Sequence, residues 1–122
     1  MNLIKEMNLR FSRHAFYKRY KLKDESELTP EICLLYCKSV ICRPCPQLEY
    51  IIARDADCAI DYARHVLKDR FFQAEHMLSK RHDTAYEYAL AIGKEFTEGV
   101  PAISESASVS YLYAKNVITV RS

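Results

Sequence analysis

The sequence predicts an all-α protein built from a repeat of about 26 residues, and three observations support this fold class. Four tyrosines, called here the repeat tyrosines, recur at separations of 26, 26 and 25 residues: Tyr36, Tyr62, Tyr88 and Tyr113. Small residues stand three positions before and one position after each of them, and a β-branched residue stands four positions after, as on one face of an amphipathic helix. Only two glycines occur in 122 residues, too few for the frequent turns of an all-β chain.

A fixed period of this length is typical of stacked helical units that bury their faces against their neighbours. We therefore expect a single domain over 1–122, a small right-handed solenoid-like stack of helix-turn-short-helix repeats. Before the repeats, Leu3, Ile4, Met7 and Phe11 share one helical face, which predicts a helix that caps the N-terminal side of the stack. The predicted segments are a basic N-terminal helix and linker over 1–28 and repeat units over 29–53, 54–79, 80–104 and 105–122.

Each unit is predicted to begin with a capped helix that holds the repeat tyrosine. Thr29, Asp55 and Ser106 stand seven residues before their tyrosines and are good N-cap residues, and Arg81 takes that position in the third unit. Pro30 follows at the first helical position, where a missing N–H is tolerated.

A polar hinge and a second, shorter helix are predicted to follow in each of the first three units. We expect the aromatic side chains near this hinge to fill the gap between units; they are Phe71, Phe72 and Phe96. The fourth unit lacks a second helix, as terminal repeats often do. The second helices are predicted over 48–52, 74–78 and 100–103.

The N-terminal segment is basic, with seven Lys or Arg against one acid in residues 1–23, whereas the rest of the chain is mildly acidic. One interpretation is a solvated helix that docks on the acidic repeat body, with its aromatic residues facing that body. The alternative is a nucleic-acid-binding accessory protein, because cations interleaved with aromatic rings suit phosphates and bases. The cations that would bind nucleic acid are Arg10, Arg13, Lys18, Arg19 and Lys21.

Five cysteines raise the further alternative of a zinc-stabilised adaptor. Cys42 and Cys45 form a CxxC pair, and Cys33 and Cys37 lie one helical turn apart upstream, which matches the ligand number of a structural zinc site. The repeat register favours another interpretation, because Cys33 and Cys37 fall where alanine or serine stands in the other units, and a buried free cysteine behaves as a small apolar residue. We expect no metal here. Cys42 alone aligns with polar residues, which are Lys68, Lys94 and Thr119.

The sequence offers no signature of catalysis or of a cofactor. No glycine-rich phosphate loop and no HExxH zinc motif can be written, and the carboxylates are spread among helix starts and outer faces. We expect a protein that is not an enzyme. No apolar run approaches the roughly 20 residues of a membrane span, and no signal peptide begins the chain, so we expect a cytoplasmic protein.

The units resemble a short tandem repeat common in proteins of tailed bacteriophages. The likeness is carried by the stretch 60–75, with Tyr-Ala, Val-Leu-Lys, Arg-Phe and a closing acid, and by the more degenerate stretches 87–98 and 111–118; it covers about residues 29–120. The resemblance implies phage origin and a small α-helical repeat fold. Such phage proteins often act as host-takeover or counter-defence factors by binding a bacterial protein.

The resulting functional hypothesis is a non-enzymatic interaction module that binds a host protein, such as a defence protein, and inhibits or redirects it in the host cytoplasm. Exposed positions of the first helices would form the binding surface. The apolar C-terminal end, 117–120, lacks a covering helix, which makes a homodimer plausible. The partner-binding residues would be Arg64, His65, Lys68, Glu87 and Lys115.

Overall fold

The computed structural model describes residues 2–118, and over that range the chain is helical, with eight α-helices and no β-strand. The all-α fold class predicted from the sequence is therefore confirmed. Within this range no helix has both the length and the apolar character needed to cross a membrane.

The predicted N-terminal helix is present as α1 (Leu3–Ser12) and buries Ile4, Met7 and Phe11. The Asn2 side chain caps it by accepting the Ile4 N–H at 2.8 Å. The Phe11 ring lies 5.6 Å from that of Tyr36, so α1 covers the first repeat unit as expected. The helix ends earlier than the basic segment does. Residues 13–19 form turns, and Asn8 holds the following segment by accepting the Leu22 N–H at 2.7 Å.

Four first helices and three second helices follow in the order that the repeat predicts. Thr29, Asp55 and Ser106 each accept a backbone N–H at an N-cap, whereas Arg81 makes no side-chain cap bond. The first helices are α2 (Pro30–Leu35), α4 (Ala56–Tyr62), α6 (His82–Ile92) and α8 (Ala107–Tyr113). The second helices are α3 (Glu49–Ile52), α5 (Phe72–Leu78) and α7 (Val100–Ile103).

Three of the first helices widen at or just after the repeat tyrosine. α2 continues as a π turn over Tyr36–Val40, α4 over Ala63–Leu67 and α8 over Ala114–Ile118, while α6 stays α-helical. Because π-helical hydrogen bonds span five residues instead of four, a π turn takes up one extra residue. The unit without it is thus one residue shorter, which explains the 25-residue separation of Tyr88 and Tyr113.

The chain leaves the first helix through a left-handed residue in each of the first three units. These residues are Cys42 (φ 53°), Lys68 (φ 54°) and Gly93 (φ 67°). Gly93 follows its tyrosine by five positions and the other two by six. The residue equivalent to Cys42 in the third unit is therefore Gly93, and the sequence alignment that paired Cys42 with Lys94 is wrong by one residue. The third unit has no π turn, so its left-handed residue comes one position earlier.

Small residues let the helices approach closely in the core. Cys33, Ala59 and Ala85, three positions before their tyrosines, have no exposed surface. At Gly99 an added Cβ would lie 2.7 Å from the Ala85 Cβ, so the second helix of that unit meets the first with no room for a side chain. Phe71 and Phe96 are buried beside repeat tyrosines as expected, with ring centroids 5.0 Å from Tyr62 and 4.9 Å from Tyr88.

Phe72 does not fill the gap between units, contrary to the prediction. Its side chain is 68% exposed, and the Arg70 guanidinium lies over its ring at 4.5 Å. The backbone turn that buries Phe71 leaves the next residue at the start of α5, pointing outward.

Gly93→Ala should lower the free energy of unfolding by about 1 kcal/mol, because a left-handed backbone penalises a Cβ. No atom lies within 4 Å of the place where that Cβ would stand, so crowding contributes nothing. Lys68→Gly should act in the opposite direction, by roughly 0.5 to 1 kcal/mol. Urea unfolding followed by circular dichroism measures both. Gly93→Asn is the control, since Asn tolerates this backbone; equal losses for Ala and Asn would contradict the explanation.

Candidate interaction surface

Three of the four repeat tyrosines connect their unit to the preceding one through a recurring hydrogen bond. The hydroxyl of Tyr88 accepts the Phe71 N–H at 2.7 Å, and that of Tyr113 accepts the Phe96 N–H at 2.9 Å. Tyr62 accepts the Cys45 N–H at 3.2 Å. In all three cases the donor stands 17 residues before the tyrosine. The donors lie in extended backbone between helices, where no helical carbonyl is available to accept.

Two of these hydroxyls also donate to a buried or half-buried acid 13 residues upstream. Tyr62 donates to Glu49 Oε2 at 2.7 Å and Tyr88 to Glu75 Oε2 at 2.6 Å. The corresponding residue of the third unit is Val100. These two acids were not among the residues predicted from the sequence, although Glu recurs at the same distance from two of the tyrosines.

Arg70 completes the network around Glu75, whose side chain is only 7% exposed. Its Nε donates to Glu75 Oε2 at 2.8 Å and its terminal nitrogen to Oε1 at 2.6 Å. Burial would raise the pKa of Glu75, but the bonds from Arg70 and Tyr88 outweigh it and hold that pKa below its usual range. Burial and the bond to Glu75 raise the pKa of Tyr88, so the phenol stays protonated and donates.

The predicted partner-binding residues lie on or next to the first helices. Arg64, His65, Glu87 and Lys115 are on these helices or their π turns, Lys68 directly follows the π turn of α4, and all five are exposed. His65 is engaged within its own helix, since its Nδ1 lies 2.6 Å from Asp61 Oδ1. Lys115 stands over the Tyr111 ring at 5.9 Å.

A pair of positions on neighbouring units recurs along this surface. Between the first two units it is an ion pair: Lys38 Nζ lies 3.0 and 3.1 Å from the two oxygens of Asp61, 23 residues away. Arg64 and Glu87 stand at the equivalent positions one unit later, yet within residues 2–118 neither forms an ion pair. Leu90 and Leu112 follow, 42% and 37% exposed. The surface therefore changes from paired charges to unpaired charges to apolar side chains.

A shallow groove of about 130 Å³ lies next to Glu87, and its lining is acidic. Asp57 and Asp83 line it from the first turns of α4 and α6. Arg81 contacts Asp83 at 2.9 Å, whereas Asp57 and Glu87 form no ion pair with any residue of the described range. A partner that bound here would meet negative charge in the groove and the positive charge of Arg64 on α4.

The four thiols considered as zinc ligands are not brought together. Cys42 is exposed, whereas Cys33, Cys37 and Cys45 are buried, and no three of these sulfurs form a group with metal-ligand spacing in the described part of the chain. Burial raises the pKa of both Cys33 and Cys37 to about 12, so both remain protonated thiols.

A different trio, Glu31, Asp55 and Cys58, places one possible ligand atom each within 4.8 Å of the others. The sequence analysis did not single it out. Asp55 is the N-cap of α4 and accepts the Cys58 N–H at 2.9 Å. Burial raises the pKa of the Cys58 thiol to about 12, and its bond to Asp55 adds to the effect. The trio is accounted for by helix capping.

The basic N-terminal residues are divided between the body and the solvent. Arg13, Lys18, Arg19 and Lys21 are exposed, and Arg10 lies 3.7 Å from Glu6 on α1. The expectation that the aromatic residues face the body holds for Phe11, Tyr17 and Tyr20, which contact the core. Phe16 differs, because its side chain is 87% exposed among these cations.

The C-terminal end is described only up to Ile118. Val117 is buried and Ile118 is 42% exposed, while Thr119 and Val120, which the dimer hypothesis also invoked, lie outside the described residues. Tyr111, 64% exposed, and Leu112 belong to the same terminal unit.

Comparison with protein-family models, with curated proteins and with solved structures finds no match to this chain. Phage origin therefore remains a hypothesis from the repeat pattern.

Tyr88→Phe should lower the free energy of unfolding by roughly 1.5 to 3 kcal/mol, because it removes a bond to a charged, buried partner and leaves the Phe71 N–H unsatisfied. Tyr113→Phe removes the bond from the Phe96 N–H and should lower the free energy of unfolding by at least about 1 kcal/mol. Tyr36→Phe is the matched control, since its hydroxyl bonds to no described residue, and should stay within about 0.5 kcal/mol of the parent. Urea unfolding measures all three variants. Equal losses of stability in all three would contradict the stabilising role of these hydroxyl hydrogen bonds.

Proposed function

We propose that this chain is a phage-encoded, non-enzymatic interaction module, a right-handed solenoid-like stack of repeat units that binds a host protein and inhibits or redirects it. The module acts in the cytoplasm of the bacterial host. Its binding surface is the outer face of the first helices, with Arg64, Lys68 and Glu87 at its centre.

The observation that carries the proposal is the change along the recurring pair of positions. Lys38 and Asp61 neutralise each other, whereas Arg64 and Glu87 at the equivalent positions have no ion-pair partner among residues 2–118. Unpaired charges of both signs on rigid helices suit recognition of a protein with a complementary charge pattern. The exposed Leu90 and Leu112 next to them add the apolar area that a stable interface needs.

Rigidity of the scaffold supports the same function. The hydrogen bonds that backbone N–H groups donate to Tyr62, Tyr88 and Tyr113 connect three of the first helices to the preceding unit. A preorganised surface binds with a smaller loss of conformational entropy than a flexible one does.

A second candidate function, nucleic-acid binding, is favoured by Phe16. Phe16 is 87% exposed and lies in sequence between the exposed cations Arg13, Lys18 and Arg19. A base stacked on such a ring, with its phosphates next to cations, is the usual arrangement for single-stranded nucleic acid.

Capture from bacterial lysate with the tagged protein, with and without nuclease, tests the two functions together. A single stoichiometric host protein that survives nuclease is expected. Arg64→Glu with Lys68→Glu should reduce its recovery at least about tenfold without changing the melting temperature, since reversed interface charges oppose the partner.

The matched control carries the same number of charge reversals away from this surface, at Lys5→Glu and Lys80→Glu, and should capture normally. Recovery that is equal for both double variants would rule out the proposed surface. Recovery that is lost on nuclease treatment, abolished by Phe16→Ala with Arg19→Glu and steeply salt-dependent would instead support the nucleic-acid function.

A further inference from the structure

A cavity of about 230 Å³ lies beside Tyr36, between α1 and the turn that follows α2, and the interaction surface does not involve it. At about 30 Å³ per water it has room for roughly seven water molecules, less than a site for a drug-sized ligand. Its polar walls are Glu6, Tyr36, Arg43 and Gln47, and its apolar walls include Leu3 and Ile41.

The Tyr36 hydroxyl differs from those of the other repeat tyrosines in its hydrogen bonding. Its side chain is only 2% exposed, yet it makes no hydrogen bond to any residue of the described range. Every fully buried polar side-chain atom in that range does have a partner. The Tyr36 hydroxyl must therefore keep some solvent access, and the cavity that its side chain lines supplies it.

The missing partner follows from the position of Tyr36 at the start of the repeat array. Tyr62, Tyr88 and Tyr113 each accept a backbone N–H from the preceding unit. For Tyr36 the preceding element is α1, whose backbone N–H groups beyond the first turn bond to carbonyls within the same helix.

α1 nevertheless reproduces two other features of a preceding unit. Phe11 supplies a buried ring next to Tyr36, at 5.6 Å. Glu6 supplies a nearby acid, and burial together with the charge of Glu6 raises the pKa of Tyr36. What is missing is a peptide group at the hydroxyl.

We propose that the cavity binds an uncharged peptide group of a partner polypeptide, which takes the place of the missing backbone N–H. Glu6 accepts the N–H of this group, Arg43 donates to its carbonyl oxygen, and the Tyr36 hydroxyl bonds to either atom. One acid and one base line the site, so its charges balance, and the lining offers both an acceptor and a donor, as a neutral peptide group requires. The inference rests on the proposed function in that the bound protein supplies the peptide group.

The first test is an NMR titration of the full ¹⁵N-labelled chain with N-acetyl-alanine N-methylamide, a neutral probe with two peptide groups. We expect saturable shifts confined to the amides of Glu6, Ile41, Arg43, Cys45 and Gln47, with a dissociation constant in the millimolar range for so small a ligand.

Two variants test whether the probe binds through the Tyr36 hydroxyl. Tyr36→Phe should weaken the probe at least about fivefold, the loss expected for one hydrogen bond. It should fold normally, since no bond within the described chain is lost. Tyr111→Phe, at a highly exposed tyrosine, should leave binding unchanged. A Tyr36→Phe chain that binds the probe as well as the parent would overturn the proposal.

The ligand class is tested with three further probes. Acetate and methylammonium should not bind; equal affinity for either one would overturn the choice of a neutral group. The acetylated peptide of residues 69–76, which carries the amide and acid that serve Tyr88, should bind more tightly than the small amide. Binding of the small amide without this peptide would exclude a polypeptide ligand, and saturation by neither would show that the cavity holds water alone.

The two proposals fail separately. The titration uses synthetic probes and reports on Tyr36 alone, whereas lysate capture reports on Arg64 and Lys68. Amide binding without host-protein capture would reject the interaction module, and capture without amide binding would reject the cavity site.

Discussion

The structure depends on one hydrogen bond, in which a tyrosine hydroxyl accepts a backbone N–H that lies 17 residues upstream. The donors, such as Phe71 and Phe96, lie in short extended stretches between two helices. An unsatisfied buried N–H there would cost about 1 to 3 kcal/mol. The tyrosine hydroxyl removes that cost by accepting the N–H, and the tyrosine ring fills the core. One side chain therefore bonds to the segment between the helices and packs between two units.

The same bond accounts for the tolerance of the fold to small differences between units. The π turns of the first, second and fourth units and the glycine exit of the third absorb a one-residue difference, yet the donor stays 17 residues before the next tyrosine. Side chains inside the array are satisfied by one another, as Glu75, Arg70 and Tyr88 illustrate. On the outer face, by contrast, Arg64 and Glu87 form no ion pair with any residue of the range 2–118.

The two ends of the array are less complete than its middle. At the N-terminal end α1 supplies a ring and an acid to Tyr36 but no peptide N–H, which leaves a polar cavity. Near the C-terminal end of the described chain, Tyr111 and Leu112 remain exposed. Such ends are where repeat proteins most often need a partner group or a capping element.

The sequence by itself determined the helical class, the period, the three side-chain caps and the small residues of the core, because each depends on residues a few positions apart in one helix. It also identified the exposed first-helix positions from their periodicity. Only the tertiary structure decided which groups Glu49 and Glu75 bond to, the exposure of Phe72, the end of α1 at Ser12, the equivalence of Cys42 with Gly93 and the lack of a hydrogen-bond partner for the Tyr36 hydroxyl within residues 2–118. Each of these depends on how one unit meets the next, and helical periodicity describes a helix without its neighbours.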